Sequence, residues 1–173
     1  RVVGSGFVEI WGPIDEQPRD EKAYARYKNL LSSDGAKTPD LSNGRNLFMR
    51  TCGSCHKMYG QGGQIGPDLT GSNRSNTDYL LFNILNPSEE IQDDYKMVVV
   101  TTRDGRTYSG NIVGENQRQI TMRVVGQNDV VISKSSIQSK EVTPVSMMPQ
   151  GLLNNLTDKE TIDLLSYLQK ANK

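Results

Sequence analysis

The sequence predicts a mainly α domain with one antiparallel β-meander set into it, and three observations carry that prediction. Apolar residues recur at helical spacing in three separated stretches, near 41–52, 77–86 and 157–168. Between the second and third, from about residue 96 to 133, the period drops to two, with β-branched runs and Gly-centred turns. Both cysteines and the single histidine of the chain fall within Cys52 to His56, directly after the first of those helices.

Residues 1–40 read as an N-terminal extension or linker. "RVVGSGFVEIWG" has the short alternation of a strand, and "DEKAYARYKNLL" has Ala23, Tyr27, Leu30 and Leu31 on one helical face. No chemistry stands out there, and Trp11 and the tyrosines read as packing residues or as part of a link to an upstream domain. The domain proper is expected over 41–173. In "LSNGRNLFMRTCGSCH", Ser42 is the expected cap, and Gly44, Leu47, Phe48 and Thr51 follow at helical spacing into the cysteine motif. "QGGQIGPDLTG" is rich in turn residues and reads as irregular, with Gly66 and Pro67 placed for a backbone shape. "SNTDYLLFNILNP" reads as a short helix stopped by Pro87.

The meander is expected next. "KMVVVTTRDGRTYSGNIV" reads as two strands joined by a two-residue Asp104-Gly105 turn, and "RQITMRVVGQNDVVIS" repeats the pattern around Gly126, with Ile120, Met122 and Val124 alternating. A final helix begins at the capping box of Thr157 and Glu160, and Ile162, Leu164, Leu165, Tyr167 and Leu168 supply its apolar face.

The 20 basic and 20 acidic residues cancel, so net charge implies neither a nucleic-acid nor an acidic-membrane partner. No stretch approaches the roughly 20 apolar residues that cross a bilayer. The chain starts at Arg1, which is expected of a processed mature protein or of a piece of something longer.

Three chemistries compete for "TCGSCHK". A thiol–disulfide pair needs a thiolate of lowered pKa, usually where a helix follows a strand, and nothing before Cys52 reads as that strand. A structural zinc site needs four ligands, and the chain has no further Cys or His. Covalent attachment of haem needs this spacing itself, since one turn brings two sulfurs to the two vinyl positions and sets the imidazole beneath the iron. Haem c, held by Cys52 and Cys55 and ligated by His56, is the reading that uses all three residues. A proximal His also needs an acceptor for its other ring nitrogen, and the carbonyl of Pro67 is the candidate.

The sixth iron position decides the function. Its protein donors can be one of six Met residues, a Lys, or nothing. Met58 follows His56 too closely, Met49 shares the preceding helix, and Met97 and Met122 fall in expected strands. Met147 and Met148 precede Pro149 in a loop, and Pro holds its predecessor extended. Met148 is the expected ligand, with Met147 as the alternative.

The order of helix, Cys-Gly-Ser-Cys-His, Gly-Pro-Asp-Leu, short helix, Met-Pro loop and final helix resembles a small c-type cytochrome. More narrowly, residues 44–168 resemble the haem-binding domain common in planctomycetes and verrucomicrobia, a cytochrome c fold with a β insertion before the axial Met loop. That resemblance implies a bacterial periplasmic or otherwise exported protein, often the C-terminal part of a larger dehydrogenase-like chain, with a redox partner protein or that upstream domain as partner. It further implies that Leu69 packs on the ring and that Arg74 contacts a propionate. The expected function is single-electron transfer without enzyme activity. A gas sensor or peroxidase-like enzyme with a labile sixth ligand is the alternative, and a third reading makes the β insertion a docking surface.

Overall fold

A computed structural model describes residues 20–170. The strand expected in "RVVGSGFVEIWG", and Trp11 with it, lie outside the described residues. Asp20 caps the first helix, α1 (Glu21–Leu31), by accepting the Ala23 N–H at 2.9 Å. Its Tyr27 is buried in the same apolar cluster as Leu47, Phe48, Leu81 and Leu165. At the surface Arg26 meets Asp158 at 2.8 Å, and Lys28 meets Asp78 at 2.8 Å. Such exposed pairs are screened by solvent and add little, so the Tyr27 side holds this helix in place.

Helix α2 (Leu41–Thr51) starts at Asp40 rather than at the expected Ser42. The Asp40 carboxylate accepts the Asn43 N–H at 2.9 Å, and its charge suits the positive end of the helix, so the chain enters the helix two residues early. Helix α3 (Thr77–Leu85) is capped by Asn76 and buries Leu80, Leu81 and Ile84. Helix α4 (Asp158–Gln169) opens with the expected capping box, in which Thr157 accepts the Glu160 N–H and Glu160 accepts the Thr157 N–H.

α2 and α4 cross closely because position 44 has no side chain. A Cβ there would run into the Asp163 backbone oxygen and come within 2.7 Å of Tyr167 Cβ. Beside that crossing, the buried Asp163 carboxylate accepts the Asp40 N–H at 2.8 Å and the Asn43 side-chain amide at 3.0 Å, with Lys159 at 3.1 Å. Phe48 and Tyr167 close the crossing with tilted rings 5.9 Å apart.

Apart from three short 3-10 helices (Asp34–Lys37, Asp93–Tyr95 and Lys134–Ser136), the remaining elements are strands, so the described residues are mixed helix and strand in content. A two-residue hairpin, β1 (Lys57–Met58) and β2 (Gln61–Gly62), occupies part of the stretch expected to be irregular. Its turn residues Tyr59 and Gly60 both take positive φ, 51° and 77°, as a tight twisted hairpin requires. The larger sheet is antiparallel, in the order β6-β5-β4-β3-β7: β3 (Val98–Thr102), β4 (Thr107–Glu115), β5 (Gln119–Arg123), β6 (Val130–Ser133) and β7 (Ile137–Val142).

Asp104-Gly105 does reverse the chain, but through a three-residue loop. Thr102 and Arg106 close it, with Thr102 N–H donating to the Arg106 carbonyl at 2.8 Å, and of Asp104 and Gly105 only Gly105 has positive φ (84°). Thr102 Oγ1 bonds the Asp104 carboxylate at 2.5 Å, which favours this turn over the two-residue one. The sheet also runs past residue 133. β7 pairs with β3, Val142 opposite Val98, and the Thr143 N–H continues the ladder to the Met97 carbonyl at 2.8 Å. The sheet therefore leaves and rejoins the rest of the chain at one place. It has its own core of Val98, Val100, Ile120, Met122 and Ile132, separate from the helical cluster.

Candidate haem site

α2 delivers the motif. Cys52 is its C-cap, with its N–H on the Phe48 carbonyl at 2.8 Å. One further turn follows, in which the Cys55 and His56 N–H groups reach back to the Cys52 carbonyl at 3.1 and 2.9 Å. That turn holds Cys52, Cys55 and His56 together, and all three are half-buried.

The stretch after β2 is laid back along the motif by its backbone. Gly63 N–H bonds the Gly53 carbonyl, Gly66 N–H the Cys55 carbonyl and Leu69 N–H the Lys57 carbonyl, each at 2.8 Å. This brings the Pro67 carbonyl to 2.9 Å from His56 Nδ1. Nδ1 then carries the proton, and Nε2 keeps a lone pair for a metal. Gly66 serves close approach rather than a special backbone shape: its φ is not among the positive ones, whereas a Cβ there would lie 2.5 Å from His56 Cε1 and 2.8 Å from Nδ1. The imidazole is flat against residue 66 because that residue is bare.

Burial pushes the Cys52 thiol up to about 11, and the neighbouring charge of Cys55 adds to the shift. A redox dithiol needs the opposite displacement. Among the described residues no three His, Cys, Asp or Glu side chains converge where they could hold a metal ion. A bare ion thus has no cage here. A macrocycle that brings its own four nitrogens needs only axial donors, two sulfurs and apolar walls, and those the chain has: His56, the two thiols, and half-buried Cys52, Tyr59, Leu69 and Met148, all packed against the helical cluster. The residues present fit haem.

Of the six methionines, Met58 (2 % exposed) is consumed by the helical core and Met122 by the sheet core, while Met49 is 40 % exposed on α2. Met97 lies immediately before β3 rather than within it as expected, its carbonyl taken by Thr143. Met147 and Met148 are both half-buried, and of the two it is Met148 that packs onto the helical cluster with Cys52 and Leu69.

Arg74 differs from its expected surroundings. It is 5 % exposed, and its guanidinium donates to the carbonyls of Leu69 (2.5 Å), Thr70 (3.0 Å) and Leu168 and to the Tyr59 hydroxyl (3.1 Å). It ties the loop after Pro67 to the end of α4, which leaves little of the fork for a propionate. No helix among the described residues is long and apolar enough to cross a membrane.

No curated protein matches the chain. Residues 41–121 match the family model described as Cytochrome c, a stretch that holds α2, the Cys52–His56 motif, α3 and the first strands of the sheet. With the hydrogen bond between His56 and Pro67, that match makes residues 41–121 similar to a c-type cytochrome domain.

Proposed function

We propose that this protein carries single electrons on one haem c, held by thioethers to Cys52 and Cys55 and ligated by His56 and Met148. Haem, when bound, supplies an iron that cycles between two oxidation states; the chain supplies what fixes and tunes it. Cys52 and Cys55 would hold haem c through thioethers formed by addition of each thiol across a vinyl group, sulfur and hydrogen both going to carbon, so attachment would need no oxidant. The observation that carries the reading is the His56 imidazole, pinned by the Pro67 carbonyl at 2.9 Å and flanked by bare Gly66, one turn from both sulfurs.

Pro67 fixes the tautomer and makes His56 a stronger donor. Leu69 and Tyr59 keep water from the site, and Arg74 acts as the clamp that holds their loop against α4. A Met thioether favours the reduced iron and raises the potential relative to a second His. The domain spans residues 41–173 in this reading, with the sheet inserted before the Met loop, and the protein is exported to the periplasm, where a redox partner or an upstream dehydrogenase domain exchanges electrons with it.

The test is the optical spectrum of the purified protein in both oxidation states, with and without carbon monoxide. Ferric protein is expected to show the weak red charge-transfer band of Met-ligated iron, and ferrous protein to bind carbon monoxide slowly. Met148→Ala should abolish the band, lower the potential and admit carbon monoxide; Met147→Ala should leave the band in place. Rapid, complete carbon monoxide binding by the unaltered protein would replace the carrier with a sensor or peroxidase.

A further inference from the structure

The loop that bears Met148 is held by a relay of side-chain hydroxyls. Ser88, in the turn after α3, accepts the Ser146 N–H on its Oγ at 3.0 Å. Ser146 in turn accepts the Met148 N–H on its own Oγ at 3.1 Å. At the base of the loop, buried Thr143 bonds the Met97 carbonyl through its N–H (2.8 Å) and the Val145 carbonyl through its hydroxyl (2.8 Å). Pro144 and Pro149 bracket the segment and have no N–H to give. The backbone leading up to the thioether is therefore fixed at three points that belong to different parts of the chain: the α3 turn, the start of the sheet and the loop itself.

We propose that Ser88 and Ser146 are positioning residues for the Met148 thioether, setting how firmly it stays on the iron. This rests on Met148 as the sixth ligand. A thioether is a weak, uncharged ligand, so its occupancy depends on how little freedom the loop has without it. Ser146 removes some of that freedom by holding the Met148 amide, and Ser88 by holding the amide two residues before it. Both serines are half-buried rather than fully buried, so removing either hydroxyl opens no cavity inside the helical core. Met147, between the two held amides, is not packed onto that core and is left aside by the same constraint.

The experiment uses haem-loaded protein and added imidazole, which competes with Met for ferric iron. The loss of the red charge-transfer band is followed against imidazole concentration for the unaltered protein, Ser88→Ala, Ser146→Ala, and the threonine variants Ser88→Thr and Ser146→Thr. Deleting one hydrogen bond should lower the half-displacing concentration about fivefold in each alanine variant. The threonine variants, which keep the acceptor oxygen, should stay near the unaltered value. Far-UV melting curves should be nearly the same for all, since the helical and sheet cores are untouched. Ser88→Ala leaves the Met loop sequence intact, so it reads the relay even where Ser146→Ala disturbs the loop. Displacement at the same concentration in both alanine variants overturns the proposal while Met ligation stands, as does loss in the threonine variants equal to that in alanine. An unaltered protein without the band overturns Met148 as ligand, and the proposal with it.

Discussion

His56 and Pro67 show how much of the site can be read residue by residue. The pairing was legible because a proximal imidazole must have an acceptor and Gly-Pro was the rigid candidate within reach, and the two atoms stand 2.9 Å apart. Gly66 was legible as special but for another reason, since close approach to an imidazole is a three-dimensional property that turn statistics do not carry. Gly66→Ala is expected to push the ring off its seat and cut the yield of haem-loaded protein about tenfold, read from the haem absorbance per polypeptide. Asp163 was not legible, because a single Asp on an apolar helix face looks like a break in the pattern. Burial works to raise its carboxyl, and the bonds from Asn43, the Asp40 amide and Lys159 outweigh it and hold it below the ordinary Asp value. A depressed carboxyl stabilises the fold above its unfolded pKa of about 3.9, and that contribution is lost as pH falls through the lower folded value. Asp163→Asn should therefore melt lower than the unaltered protein at pH 7, by about 2 kcal/mol, with the gap closing below about pH 4 in thermal melts across pH.

At the level of elements, helices with caps were the easiest to place. Thr157 and Glu160 mark the start of α4 in the sequence and in the structure, because a capping box is local chemistry. Thr157→Ala should cost about 1 kcal/mol and lower the melting temperature by a few degrees, measured by far-UV circular dichroism. The strands divide by burial. β3 and β5 alternate between core and solvent and were legible as strands. β7 was not: five of its six residues are exposed, so its side chains carry no period, and only backbone pairing to β3 makes it a strand. The β1–β2 hairpin escaped notice for a related reason, since its turn depends on Tyr59 adopting a conformation that sequence assigns to Gly, Asn or Asp.

For the molecule as a whole, the sequence separated the helical and sheet parts but not how they join. The pairing of Val98 with Val142, extended by Met97 and Thr143, lets the sheet leave the chain and return at one point, so the long stretch between His56 and Met148 need not carry the Met loop far. Replacing residues 99–141 by a two-residue Asn-Gly turn should accordingly leave the helical core folded, with helical circular dichroism retained; loss of that signal would show that the sheet holds the core together. The central claim is that haem is bonded to this polypeptide through Cys52 and Cys55, and the mass of the intact chain tests it most directly. Protein made in cells that attach haem in the periplasm should, after denaturation and acid–acetone extraction, keep the mass of one haem, and the Cys52→Ser, Cys55→Ser double variant should have lost it. An unaltered chain that comes through the same treatment at its bare polypeptide mass would contradict the account.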